Sequence, residues 1–244
     1  MQQTGSQRAR SAEAKRQRER AILDAARSLG GEHSVREVTL TDIAAAVGMH
    51  KSAMLRYFET REQIFLALTA EAWQEWSPAL RARLGDLPGA DPGAIAAVFA
   101  ESLAARPLFC DLIAQAPLNL ERNVSFDSVY AYKTAVLAEV AAVTATLREL
   151  LGITERAATD VIATATSMAG ALWQMAAGGT GLRAFYETRP ELAHAVVDVE
   201  PRLARILAAL LEGVRATAAP ADGPLTPQAD VPGPSGPRPR EGSG

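Results

Sequence analysis

Between Val38 and Leu68 the chain reads VTLTDIAAAVGMHKSAMLRYFETREQIFLAL, and few folds accommodate that stretch. Thr39-Leu-Thr-Asp42 has the form of a helix capping box with Asp in place of Glu, and Ile43, Ala44 and Val47 follow at the spacing of one helix face. Gly48 ends that helix, because a residue without a Cβ reaches the left-handed conformation that a helix stop uses. A short helix is expected next, over about Lys51 to Tyr57. Thr60-Arg-Glu-Gln63 then matches the capping box directly and opens a longer helix whose stripe runs through Ile64, Phe65, Leu68, Ala72 and Trp76. Helix, glycine turn and short helix make a helix-turn-helix, whose second helix enters the major groove with its N-terminal residues near base edges. Here that helix would present His50, Lys51, Ser52 and Ala53 first, with Arg56 one turn on. The glycine turn taken alone favours an ordinary αα-hairpin.

The periodicity elsewhere is also helical, and no strand-like alternation stands out, so the expected fold is all-α. Residues 1–11 read as a flexible basic arm, and a first helix is expected from near Ser11, with Ile22, Ala25, Ala26 and Leu29 as its stripe and Gly30-Gly31 as its stop. Residues 12–70 then form a head and residues 71–218 a helical body. Within the body, GDLPGADPG is a linker, Asp91-Pro92 starts a helix through about Ala105, and a short helix lies between Pro107 and Pro117. The longest periodic run spans residues 125–151, where Phe126, Lys133, Val140 and Leu147 alternate with Tyr130, Leu137, Thr144 and Leu151 in one seam. A helix rich in small residues opens at Thr154 and is stopped by Gly178-Gly179, and a last helix covers about 199–217. Residues 219–244 hold seven of the fourteen prolines, and such a tail cannot bury enough surface to offset its ordering entropy, so it is expected to be disordered.

Charge divides along the same boundary. Residues 1–70 carry eleven Lys/Arg against eight Asp/Glu, while the whole chain has a net charge of -3, so a basic head sits on an acidic body. A DNA-binding end needs that bias, although a solvated helix face produces it too. The single cysteine, Cys110, excludes an internal disulfide framework and a cysteine-based metal cluster, and it fits a cytoplasmic location. No uninterrupted apolar run is long enough to span a membrane. No Gly-rich phosphate loop, HExxH pair or Gly-x-Ser-x-Gly elbow occurs, and His33, His50 and His194 are dispersed. No catalytic residue, metal or cofactor is therefore expected; a small helical enzyme or ligand carrier without a DNA role stands as the alternative.

The segment resembles the head of the TetR/AcrR transcriptional regulators. Thr39, Ile43-Ala44, Gly48, Tyr57-Phe58 and Thr60-Arg61-Glu62 fall at the spacing of that family's pattern, over roughly residues 12–70. The resemblance implies a sequence-specific DNA-binding regulator, a repressor by family habit, released from its operator by a small molecule. It implies that Thr39 donates to a phosphate, that Lys51 and Arg56 reach phosphates or guanine edges, that Tyr57 lies near the DNA backbone and that Arg61 contacts another phosphate. Lys15, Arg16, Arg18 and Arg20 would line flanking DNA, and Ile43, Val47, Leu55 and Phe58 would hold the head together. Two positions depart from the pattern. The family's frequent recognition-helix Tyr is Leu55, so its phosphate bond is either absent here or made by Arg56 or Tyr57. The usual Ser before that helix is His50.

The body, on this resemblance, senses a ligand and dimerises. A homodimer would place two heads on a palindromic double-stranded operator. The small residues of 157–170 and the apolar set Leu203, Ile206, Leu207, Leu210 and Val214 suit a four-helix interface between subunits, or equally the core of one. Trp73, Trp76, Phe99, Phe109, Asn123, Phe126, Tyr130, Lys133 and Trp173 are the candidates for a mostly apolar effector pocket, against the plainer reading that each aromatic is core. Lys133 within an apolar seam would pair with an anionic effector, with Asp111 or with Glu101, or extend to solvent.

Overall fold

The computed structural model describes residues 3–176 and 180–218 of the chain, with side chains for 12–176 and 180–217. The tail expected over 219–244 and the stop at Gly178-Gly179 lie outside the described residues. Among the described residues ten α-helices follow one another: α1 (Gln3–Glu32), α2 (Leu40–Ala46), α3 (Lys51–Met54), α4 (Arg61–Gly85), α5 (Pro92–Ala104), α6 (Pro107–Gln115), α7 (Phe126–Leu151), α8 (Glu155–Ala176), α9 (Gly181–Glu187) and α10 (Val199–Ala218). No strand occurs among the described residues, and the all-α expectation holds.

The local signals act as their chemistry dictates. Thr39 and Asp42 close a reciprocal capping box, and the Thr60 hydroxyl accepts the Gln63 N–H at 3.1 Å. Gly48 adopts φ +62°, and the N–H groups of Gly48 and Met49 return to the carbonyls of Ala45 and Ala44 at 3.1 and 2.8 Å. That paired return is the Schellman closure, and it turns the chain from α2 into α3.

Boundaries moved where packing overrides local preference. The helix expected from Ser11 already begins at Gln3, so α1 takes in residues 3–11 of the expected arm. It also passes through Gly30-Gly31 to Glu32, because Gly30 is buried where an added Cβ would meet Leu108 at 3.0 Å. The close approach of α6 to α1 outweighs the roughly 1 kcal/mol that glycine costs within a helix. Helix α3 is a single turn, continued to Phe58 by turn hydrogen bonds rather than as the longer helix expected.

Two apolar clusters organise the molecule. One holds the head together: Ile22, Ala26, Val38, Ile43, Met54, Ile64 and Phe65 from α1 to α4, joined by Leu112, Ala116, Leu120 and Tyr132 of the body. Leu55, expected in this core, is 54 % exposed; Met54 fills the place. The second cluster fills the body between α4, α5, α6, α7, α8 and α10. The small residues Ala158, Ala165, Ala169 and Gly170 are buried within the chain, and Gly170 lets α8 approach the Ala114 backbone of α6. Leu203 and Leu207 of α10 are likewise internal, leaving Ile206, Leu210 and Val214 half-buried. The single seam expected on α7 is divided. Tyr132, Val143 and Leu147 face inward, whereas Phe126 and Tyr130 are 92 % and 72 % exposed. A strict seven-residue repeat drifts around a straight helix by about 20° per heptad, so it cannot keep one side over this length.

Candidate nucleic-acid interface

The turn Gly48 builds projects α3 from the head, with His50, Lys51, Ser52 and Arg56 exposed and Ala53 and Tyr57 half-buried. His50 is the N-cap of α3 but makes no capping bond; its ring Nδ1 lies 3.1 Å from the Ser52 hydroxyl. Lys51 and Arg56 have no ion pair among the described residues. Arg56 and Tyr57 share a solvent-open groove with Ala14, Lys15 and Arg18 of α1. Of the groove's cations only Lys15 is paired among the described residues, with Glu19 at 3.6 Å. A short helix with free cations at both ends, flanked by a basic helix, is a positive surface shaped for a polyanion.

Two residues expected on that surface are engaged elsewhere. The Thr39 N–H and hydroxyl both donate to Asp42, at 2.8 and 2.7 Å, so neither is free for a phosphate. Those bonds hold the Asp42 carboxyl below the usual carboxylate range, the hydroxyl bond contributing most. Arg61 is turned inward: its guanidinium donates to the carbonyls of Val38 and Val35 and to Glu62, and lies 5.0 Å from the Phe65 ring centroid. No local signal could have shown this, because both carbonyls belong to the loop before α2.

The candidates for an effector pocket separate into different surroundings. Trp73, Trp76, Phe99 and Phe109 form one aromatic cluster with neighbouring ring centroids 5.2–6.1 Å apart, three of the four contacts edge-on and Trp76–Phe109 tilted, and the Trp76 indole donates to Ser102 at 3.0 Å. They are core rather than lining, except that Phe109 also borders a cleft between α1, α4 and α6. Trp173 is half-buried against the body core. Phe126 and Tyr130 face solvent, and the Asn123 amide closes locally on Asn119. Lys133 pairs with Glu121 at 2.8 Å, not with Asp111 or Glu101. A larger opening lies between α4 and α7 and is bordered by Leu66, Ala67, Ala70, Ala131 and Tyr132, none of them anticipated. Its sequence signal is slight: alanines on two facing helices leave the gap. Cys110 donates to the Leu103 carbonyl at 3.3 Å, and burial pushes its thiol up to about 12, so it is no nucleophile at neutral pH.

Comparison with known families decides the broader question. The bacterial regulatory proteins, tetR family, match residues 22–68, and the tetracyclin repressor-like C-terminal domain matches residues 70–218. The chain belongs to the TetR family. It is a DNA-binding transcriptional regulator with a helix-turn-helix head and a helical C-terminal domain. Solved structures of similar shape include a putative transcriptional regulator from Pseudomonas aeruginosa PAO1, 17 % identical over 83 % of this chain and 92 % of that one, with a TM-score of 0.51. FadR from Bacillus subtilis, solved with stearoyl-CoA, is 14 % identical over 78 % and 96 % of the two chains, with a TM-score of 0.49. FadR from Bacillus halodurans is 15 % identical over 77 % and 96 %, with a TM-score of 0.48. At 17 % identity the likeness of this TetR-family chain to the Pseudomonas aeruginosa protein is one of fold. A comparison with curated protein sequences gave no match. No single helix among the described residues is long and apolar enough to cross a membrane.

Proposed function

We propose that the protein is a cytoplasmic homodimeric repressor that holds a palindromic operator through the α3 turn and the N-terminal half of α1, and that a small apolar effector releases it. The observation that carries the DNA contact is the convergence of Arg56, Tyr57, Lys15 and Arg18 on one open groove, with Lys51 exposed at the start of α3. Lys51 and Arg56 supply charge to phosphates or guanine edges, His50 and Ser52 supply hydrogen bonds, and exposed Leu55 offers an apolar contact to a thymine methyl. Thr39 and Arg61 act one step back, by fixing α2 and the loop before it. Dimerisation uses the outward faces of α8 and α10, where Met175, Ile206, Leu210 and Val214 remain exposed or half-buried. The effector enters a cleft on α4, since both apolar clefts border that helix and it runs from the head into the body core. Its binding favours a state in which the heads no longer match the operator.

The test is selection of the full chain on random duplex DNA at two salt concentrations, with sequencing of the retained fraction. The expected result is a palindrome with half-sites about one helical turn apart, 34–36 Å, or a multiple of it, retained less well at high salt. Retention without sequence enrichment would sink the operator reading. Enrichment of an unpaired half-site would sink the dimer.

A further inference from the structure

Asp111 of α6 is 4 % exposed, and no cation pairs with it among the described residues. Its Oδ2 accepts the Val35 N–H at 2.7 Å and the Ser34 hydroxyl at 3.2 Å, and its Oδ1 accepts the Gln174 side-chain amide at 2.7 Å. Ser34 and Val35 lie in the loop between α1 and α2, and Gln174 lies near the end of α8. One carboxylate thus ties the loop that leads into the helix-turn-helix to two helices of the body. Val35 is held on its carbonyl side as well. Its carbonyl accepts the Arg61 guanidinium, which also grips the Val38 carbonyl just before the Thr39 cap. A continuous set of hydrogen bonds therefore runs from α8 through α6 and the loop to the base of α2.

Burying a carboxylate without a counter-charge is costly, and an apolar side chain would fill the same space at less expense. What the carboxylate adds is direction, since donors from head and body converge on its two oxygens in a fixed arrangement. We propose that Asp111 is a positioning residue for operator binding: it sets the attitude of the head on the body, so that both heads of the dimer present α3 at one spacing. The inference rests on the dimeric reading above and concerns no residue that touches DNA.

The experiment compares the full-length protein with Asp111→Ala, Asp111→Asn and Gln174→Ala. Asparagine is the conservative rescue, because its carbonyl oxygen keeps the Val35 and Ser34 donors while the Gln174 amide turns over to accept from its NH2. Two quantities are read: amide hydrogen exchange over residues 34–46, and affinity for duplexes carrying one or two half-sites of the selected palindrome. In Asp111→Ala, exchange in that segment rises about tenfold relative to α5 and α10, two-site affinity falls about tenfold and one-site affinity stays within about twofold, as expected for a missing buried acceptor that only orients. Asp111→Asn returns both readings to those of the unmodified protein. Gln174 is an exposed side chain, so Gln174→Ala folds even if Asp111→Ala does not, and it gives the same split between two sites and one at smaller size. Equal losses on one-site and two-site DNA, with exchange raised throughout the body, overturn the proposal and leave Asp111 an ordinary core residue; so does the absence of any change. Failure of the dimeric reading is separately visible, as equal affinity of the unmodified protein for one site and two, and the exchange measurement still decides whether Asp111 holds the head.

Discussion

Arg56 and Arg61 are two cations on one short stretch with opposite surroundings. Arg56 is exposed and without an ion pair among the described residues, so its charge is available to a polyanion. Replacing it with Ala should weaken binding to all DNA sequences alike and reduce the slope of log affinity against log salt by about 1. The thermal midpoint should barely move, since exposed substitutions away from special contacts change stability by about 0.5 kcal/mol or less. Arg61 has 18 % of its side chain exposed and donates to two backbone carbonyls and Glu62. Arg61→Ala strands those acceptors and should cost about 1–3 kcal/mol of stability. Lysine should not restore it, because a single ammonium does not reproduce the planar fork that spans both carbonyls. Thermal unfolding and a salt titration, run on both variants, separate the two roles. An Arg61→Ala protein of unchanged midpoint with a shallower salt slope would make Arg61 the phosphate ligand that its sequence position suggests.

At the level of elements, the α2–α3 turn depends on one backbone conformation. Nothing lies within 4 Å of a Cβ built on Gly48, so the whole penalty of a side chain there comes from its φ of +62°. Gly48→Ala should cost about 1–2 kcal/mol, and Gly48→Asn less, because Asn tolerates the left-handed region. Equal losses in the two variants, measured by denaturant unfolding, would point to a packing role instead. The caps at Thr39 and Thr60 and the stop at Gly48 could be read from sequence because each is settled within four or five residues. The inward turn of Arg61 was not legible, since its acceptors Val35 and Val38 are brought to it only when the loop before α2 packs on α4. The effector candidates were illegible for a related reason. Aromatic identity marks both core and pocket, and only the partners decide: Trp76 found Phe99, Phe109 and Ser102, whereas Phe126 found solvent. Phe126→Ser should accordingly leave the free energy of unfolding within about 0.5 kcal/mol of the parent value, measured by denaturant unfolding, in contrast to the roughly 3–5 kcal/mol typical of emptying a buried aromatic site.

The molecule as a whole works only if head and body hold a defined relation, and a second carboxylate contributes to it from the opposite direction to Asp111. Glu59, in the turn between α3 and α4, accepts from the Ser125 N–H and hydroxyl, both at 2.8 Å, and from the Ser128 hydroxyl at 2.9 Å. Ser125 is the N-cap of α7, so the carboxylate also sits at the positive end of that helix. These bonds, the Ser125 N–H foremost, hold the Glu59 carboxyl below the usual carboxylate range. A group with a lowered folded-state pKa binds fewer protons folded than unfolded through the acidic range, so the stability it contributes falls as pH falls. Its contribution is complete above the unfolded value of about 4.3 and is lost as pH drops through the lowered folded value. Glu59→Gln keeps the shape and removes the charge. The parent should therefore unfold at a higher temperature than Glu59→Gln at neutral pH, by a margin that stays constant down to the ordinary glutamate range and narrows below it. A margin that persists in strong acid would mean that the glutamine is harmed by geometry rather than by loss of charge. No margin at any pH would leave the docking of head on body to the apolar contacts of Leu112, Ala116, Leu120 and Tyr132 and to the buried bonds of Asp111.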